Sequence, residues 1–184
     1  MPQATLLLLR HGIAEERTAA QPDAERALSE AGRRRTQAVL RRAAALGLAV
    51  ERLISSPLLR ARQTAEIALA VGLAPALELD AALAPGADPL PLLKLWLEAC
   101  AATERLGPAS ADPARSSPSL ALVGHEPDLG ELAARLIGAR AGSLSLRKAG
   151  MAQLVFEPEA ATEGEPAGAG WRLRLLLAPR LLLG

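Results

Sequence analysis

The order of apolar and polar positions divides this chain into alternating strands and helices. Residues 6–9 are four leucines in succession, entered near Thr5 and closed by Gly12. A continuous apolar run of that length reads as a strand buried on both faces, the kind found in parallel sheets. The stretch "ERLISSP" at 51–57 is a short second strand ended by Pro57, and 76–80 make a minor strand. "LALVGH" at 120–125 is a further buried strand, and "MAQLVFE" (151–157) and "WRLRLLLA" (171–178) form a final strand pair. Between these lie helical periods. "LSEAGRRRTQAVLRRAAALG" (28–47) has Ser29 as N-cap and Gly47 as its stop. Its Thr36, Val39, Leu40, Ala43 and Leu46 share one face, which leaves Arg33, Arg34, Arg41 and Arg42 to solvent. Further helices are expected from Leu58 to Val71, over "DPLPLLKLWLEACAATERL" (88–106) and over "PDLGELAARLIG" (127–138). Residues 13–28, 107–119 and 158–170 have loop composition. Alternation over the first two thirds predicts an α/β fold: a three-layer sandwich with a mostly parallel central sheet flanked by helices. No internal repeat occurs, and 184 residues read as a single domain, 1–184.

Composition narrows the function classes. Half of the residues are apolar, enough for a core without disulfide or metal staples. The 21 basic and 20 acidic residues leave a formal charge of +1, so no global field draws nucleic acid or an anionic membrane, and any anion site must be local. The single cysteine, Cys100, excludes an internal disulfide framework, suits a reducing cytoplasm and reads as a small core residue of a helix. "MPQATLLLL" lacks the basic start and cleavage site of a signal peptide and is too short to span a bilayer, so a soluble cytoplasmic protein is expected. Arginine greatly outnumbers lysine, which occurs only at Lys94 and Lys148, and that bias weakens any argument from an isolated arginine.

Candidate chemistry lies at three strand ends: Arg10-His11 after the first strand, Ser55 to Arg60 after the second and His125 after the fourth. Both histidines of the chain therefore stand at the carboxyl edge of the predicted sheet, where open α/β sheets bind ligands. Each histidine alone could simply cap its strand; both together, with neighbouring arginines, point to a shared crevice. Two imidazoles and two guanidiniums make a cavity for a tetrahedral dianion, because guanidiniums fork onto phosphate oxygens and a neutral imidazole can attack phosphorus. Two histidines crowded by arginine cations and lacking a matched Asp or Cys cluster are a poor metal site. Neither a G-x-x-x-x-G-K-[ST] loop nor a G-x-S-x-G elbow occurs.

These residues resemble the motifs of the histidine phosphatase superfamily, also called phosphoglycerate mutase-like. "LLLLRHG" is similar to its R-H-G signature, "SSPLLRARQTAEI" to its second motif, S-P-x-x-R-A-x-Q-T-A, and "LVGHEP" to its third. Within the superfamily, "ERALSEAGRRRTQ", "LAPGADP", "GHEPDLGEL" and "LRKAGMAQL" resemble SixA-type phosphohistidine phosphatases. The resemblance implies His11 as the nucleophile that takes the phosphoryl group. It implies Arg10, Arg60 and His125 as the groups that bind its oxygens, and no metal or cofactor. Arg26 matches the R-x-L-[ST] stretch of that branch and, with Glu15, Glu16 and Arg17, lies in the loop where substrate is selected.

The chain departs from its relatives at the proton donor. In the mutase-like branch a Glu stands in an L-x-E pattern where this chain has Pro85, and in the acid phosphatase branch an Asp follows the second histidine where this chain has Glu126. An alkoxide leaving group needs such an acid, whereas an imidazole, whose conjugate acid has a pKa of roughly 6.5, departs with far less help. The substrate expected is therefore phosphohistidine in a signalling protein. Glu126 is either a helix N-terminal residue favoured by the dipole or, turned inward, a proton donor. In the second case a small-molecule phosphomonoesterase acting on sugar or nucleotide phosphates is the alternative. A phosphoprotein-binding module without turnover is a third reading, which the intact set of Arg10, His11, Arg60 and His125 disfavours.

Overall fold

The computed structural model describes residues 3–105, 117–158 and 170–183. In chain order the elements are β1 (Ala4–Arg10), α1 (Glu30–Ala45), β2 (Arg52–Ser55), α2 (Leu59–Ala70), β3 (Leu77–Leu79), α3 (Leu90–Arg105), β4 (Ser119–Gly124), α4 (Asp128–Leu136), β5 (Met151–Phe156), β6 (Trp171–Leu177) and α5 (Pro179–Leu183). The strands form one six-stranded sheet in the order β3-β2-β4-β1-β5-β6. The pairs β3–β2, β2–β4 and β4–β1 are parallel, and β5 and β6 complete the sheet as antiparallel additions. This is the α/β sandwich expected from the alternation of runs.

The four leucines of β1 divide between two cores. Leu6 and Leu8 join Leu120, Leu122, Leu93, Trp96 and Leu129 on one face, while Leu7 and Leu9 join Val39, Leu40, Leu53, Ala61 and Val123 on the other. Side chains alternate along a strand, so a run with helices on both faces must be apolar at every position. Burying each leucine contributes about 1.5–3 kcal/mol. The helix that follows β1 packs on one face and the helix that follows β4 on the other. Neighbouring strands whose connections leave to opposite sides open a crevice at their carboxyl ends. That crevice lies between Arg10-His11 and Gly124-His125.

Local signals account for the element boundaries. The Ser29 hydroxyl accepts the Gly32 amide at 3.0 Å and caps α1, and Gly47, at φ +78°, ends it. Leu46 departs from expectation: it lies past the last helical turn and is 53% exposed. Cys100 is half-buried against the core. The stretch 13–28 contains two features its polarity conceals, an isolated bridge between Ala14 and Leu28 and a 3-10 turn at Asp23–Glu25. The predicted loops at 107–119 and 158–170 lie largely outside the described residues. Among the described residues no helix is long and apolar enough to cross a membrane.

Candidate active site

Sheet register brings the two histidines together. Arg10 and Gly124 are register partners, and the His11 amide donates to the Gly124 carbonyl at 3.0 Å. The next residue of each strand therefore leaves the sheet beside the other, and the His11 and His125 rings lie with centroids 5.1 Å apart, tilted by 53°. One strand further over, the Ser56 amide donates to the Val123 carbonyl at 2.9 Å, which sets the Ser56 hydroxyl 2.9 Å from His125 Nε2. Arg60 follows in the first turn of α2.

Each imidazole is held neutral. His11 Nδ1 lies 2.7 Å from the Gly12 carbonyl oxygen. A carbonyl only accepts, so the ring proton is on Nδ1 and the lone pair on Nε2. Burial pushes the His11 pKa down to about 3, with His125, Arg60 and Arg10 adding repulsion and the Gly12 bond opposing them. The neighbouring cations act in the same direction, but burial is the larger cause. His125 falls to about 4, again through burial first and then Arg60.

The two arginines are fixed by one edge and leave another edge free. Arg10 Nη1 donates to the Leu146 carbonyl at 2.7 Å. Arg60 Nη1 and Nη2 donate to the Asp23 carbonyl at 2.7 Å and carboxylate at 2.9 Å, with its side chain only 5% exposed. Burial lowers both pKa values, yet a guanidinium stays protonated in proteins. Arg10 Nε, Arg60 Nε and His125 Nδ1 are all buried with no hydrogen-bond partner among the described residues. Buried polar atoms are seldom left so; Arg26 Nε, Thr36 Oγ1 and Glu126 Oε1 share that state.

Asp23 is the residue that sequence reading missed. Burial works against its charge, but Arg60, Arg26 and Arg17 outweigh that and hold its pKa below the usual value. Its carboxylate joins Arg60 to Arg26, whose Nη2 is 3.2 Å away and whose Nη1 donates to the Glu15 carbonyl at 3.3 Å. Arg26 thus stands beside the histidine pair through Asp23, while Glu15, Glu16 and Arg17 are exposed. The available signal was the three-residue spacing of Asp23 and Arg26 just before the Ser29 cap. Thr64 also gained no role from sequence: its hydroxyl accepts the Gly12 amide at 3.0 Å and donates to the Arg60 carbonyl at 2.7 Å, tying the His11 turn to α2.

Glu126 stands two residues before α4, ahead of the N-cap Pro127, with Oε2 packed against Gly130, where an added Cβ would lie 2.9 Å from it. Burial raises its pKa, against the Leu146 amide, Arg10, the Ser145 hydroxyl and the Gly130 amide. It therefore lies in the turn ahead of α4 rather than in the first turn of the helix, with its carboxyl pKa above the usual value. Among the described residues no group of three or more His, Cys, Asp or Glu is placed to hold a metal ion.

Comparison with known proteins bears on the family and the fold. The family model described as histidine phosphatase superfamily (branch 1) matches residues 6–84. An uncharacterized protein of Picosynechococcus sp. (strain ATCC 27264 / PCC 7002 / PR-6) is 38% identical over 182 residues, 97% of this chain and 98% of its own. The fold is similar to the crystal structure of the putative phosphohistidine phosphatase SixA from Agrobacterium tumefaciens, with TM-score 0.69 and 22% identity over 97% of this chain and 99% of that one. It is similar also to the protein histidine phosphatase SixA complexed with tungstate, with TM-score 0.71 and 22% identity over the same shares. A mycobacterial glucosyl-3-phosphoglycerate phosphatase shares the fold with TM-score 0.63 and 20% identity, over 96% of this chain and 99% of its own.

Proposed function

Because this chain belongs to the histidine phosphatase superfamily, we propose that it is a hydrolase that takes a phosphoryl group onto His11 Nε2 and passes it to water, with phosphohistidine in a signalling protein as substrate. The observation that carries this reading is the bond between His11 Nδ1 and the Gly12 carbonyl, which leaves Nε2 unprotonated, and the low pKa, which keeps it so. The Nε2 lone pair attacks phosphorus as the bond to the leaving group breaks, and the leaving group keeps the electron pair. Water then attacks the phosphorylated His11, the P–Nε2 bond breaks back onto the ring, and inorganic phosphate leaves. In flight the charge is spread over the phosphoryl oxygens, and preorganised donors stabilise it. Arg10 and Arg60 supply guanidinium donors. His125 supplies Nδ1–H when its Nε2 accepts the Ser56 hydroxyl proton.

The leaving group decides between substrate classes. Imidazole departs without strong acid help, which suits a site with Pro85 where relatives carry Glu. A specific observation favours the second reading, a phosphomonoesterase of small esters: the raised pKa of Glu126 beside Arg10 would let it protonate an alkoxide. Turnover of a phosphohistidine protein, aryl phosphates and sugar phosphates separates the two. Phosphohistidine and aryl phosphates are expected to be cleaved and alkyl phosphates barely touched, with Glu126→Gln nearly neutral on phosphohistidine. A shallow dependence on leaving group, with a loss of about 10²-fold on alkyl esters in the Gln variant, moves the assignment to the phosphomonoesterase. Activity is expected to persist in EDTA; loss on chelation, restored by one metal, overturns the mechanism.

A further inference from the structure

A second basic surface adjoins the histidine pair. Arg10, Ile13, Arg35, Arg147, Lys148 and Arg180 line an open groove of about 460 Å³ with no acidic residue in its wall. The cations come from four separate places: the end of β1, α1, the turn before β5, and the first turn of α5. In a chain of formal charge +1, five cations around one groove are a local concentration. Arg35, Arg147, Lys148 and Arg180 make no ion pair among the described residues, a state they share with the exposed Arg33, Arg41, Arg42 and Arg174, so it is the clustering of these cations and not their lack of partners that sets the groove apart.

The groove is anchored to the site rather than merely near it. Arg10 belongs to both, and its guanidinium is bonded to the Leu146 carbonyl, one residue before Arg147. The Ala149 amide donates to the Arg10 and His11 carbonyls, each at 3.1 Å, so the turn carrying Arg147 and Lys148 is fixed to the end of β1. Arg147 lies close enough to repel the Arg10 charge.

We propose that this groove docks an acidic segment flanking the phosphorylated residue of a protein substrate, an inference that rests on the phosphatase reading of the adjoining site. Apart from Arg10, its cations are exposed side chains. A subsite for a second phosphate of a small molecule would present buried, fixed donors, whereas mobile exposed cations suit a run of Asp and Glu side chains and act by steering its approach. The same exposure makes the attraction sensitive to salt.

The test uses two phosphopeptides, one flanked by Asp and Glu and one by Ser and Gly, with the unphosphorylated acidic peptide as a fluorescent binding probe. The wild-type protein is expected to bind the acidic probe and to show kcat/KM about tenfold higher for the acidic phosphopeptide, an advantage that fades as salt rises. Lys148→Glu with Arg180→Glu should abolish that advantage and the binding while leaving aryl phosphate turnover within about twofold; Arg35→Glu is an independent second variant. Equal kcat/KM for the two phosphopeptides, or no binding of the acidic probe, overturns the proposal even with aryl phosphate turnover intact. A loss confined to small bisphosphates overturns it in favour of a small-molecule subsite. Binding that depends on Lys148 and Arg180 in a protein that hydrolyses none of these compounds supports the docking groove and sinks the phosphatase reading instead.

Discussion

At the scale of single residues, His11 and Asp23 make the sharpest contrast. His11 is buried at the end of a strand whose stability comes from its leucines, so His11→Ala is expected to fold normally and lose turnover. Rapid quench with ³²P-labelled substrate should trap an acid-labile phosphoenzyme on the wild type and none on the variant; undiminished turnover in the variant removes His11 from the mechanism. Asp23 acts through Arg60, whose two Nη atoms it holds. Asp23→Ala should leave the Arg60 charge in place and loosen its orientation, lowering kcat by about tenfold or more with a smaller change in KM. Arg60→Lys should cost roughly 3–4 kcal/mol of transition-state stabilisation, because an ammonium cannot both pair with Asp23 and fork onto a phosphoryl oxygen. An Arg60→Lys enzyme with near wild-type kcat would mean that only the charge matters.

At the scale of elements, the approach of α1 to the end of β1 positions the loop that carries Asp23 and Arg26. Gly32 permits it: a Cβ there would lie 2.0 Å from the Ile13 carbonyl oxygen, which is backbone and cannot turn aside. Gly32→Ala should therefore push α1 away, cost about 1–3 kcal/mol and lower activity by displacing Asp23. Gly47, at the other end of α1, has φ +78° and open space around it. Gly47→Ala meets only the left-handed penalty of roughly 1–2 kcal/mol and should leave kcat/KM unchanged. Thermal melts read beside kcat/KM check the pair, and equal activity losses in both variants would show that α1 does not position the site.

At the scale of the whole molecule, two buried neutral imidazoles tie activity and stability to pH. An unperturbed histidine titrates near 6.5, while His11 titrates at about 3 and His125 at about 4 in the folded chain. The unfolded chain then binds more protons than the folded chain between those values, so stability rises with pH in that interval. Their contribution is fully present above about 6.5 and is lost as pH falls through the folded values. Melting temperatures between pH 7 and pH 4 should fall less steeply for His125→Ala than for wild type. Once substrate ionisation is corrected for, kcat/KM should hold down to about pH 5 and fall below it. An acid limb centred near 6.5 would place the essential histidine in water rather than in the core.

Much of this protein is determined by short stretches of its sequence. Continuous apolar runs bounded by turn residues read as strands covered on both faces, Ser29 and Gly47 carry the chemistry of a helix start and stop, and histidine after an oily run places polar chemistry at a strand end. Those signals are local, and they sufficed for the sandwich and for Arg10, His11, Arg60 and His125 as candidates. What needed the tertiary structure depends on pairs distant in sequence. The insertion of β4 between β1 and β2 sets His125 beside His11, and a carbonyl one residue away from His11 selects which of its nitrogens carries the proton. Asp23 looked like one more polar residue of a loop until Arg60, 37 positions on, was found bonded to it. The basic groove that Arg10 shares is assembled from four separate places in the chain, and its missing carboxylates show only when the chain is folded, because attraction between charges depends on distance in space and not along the chain.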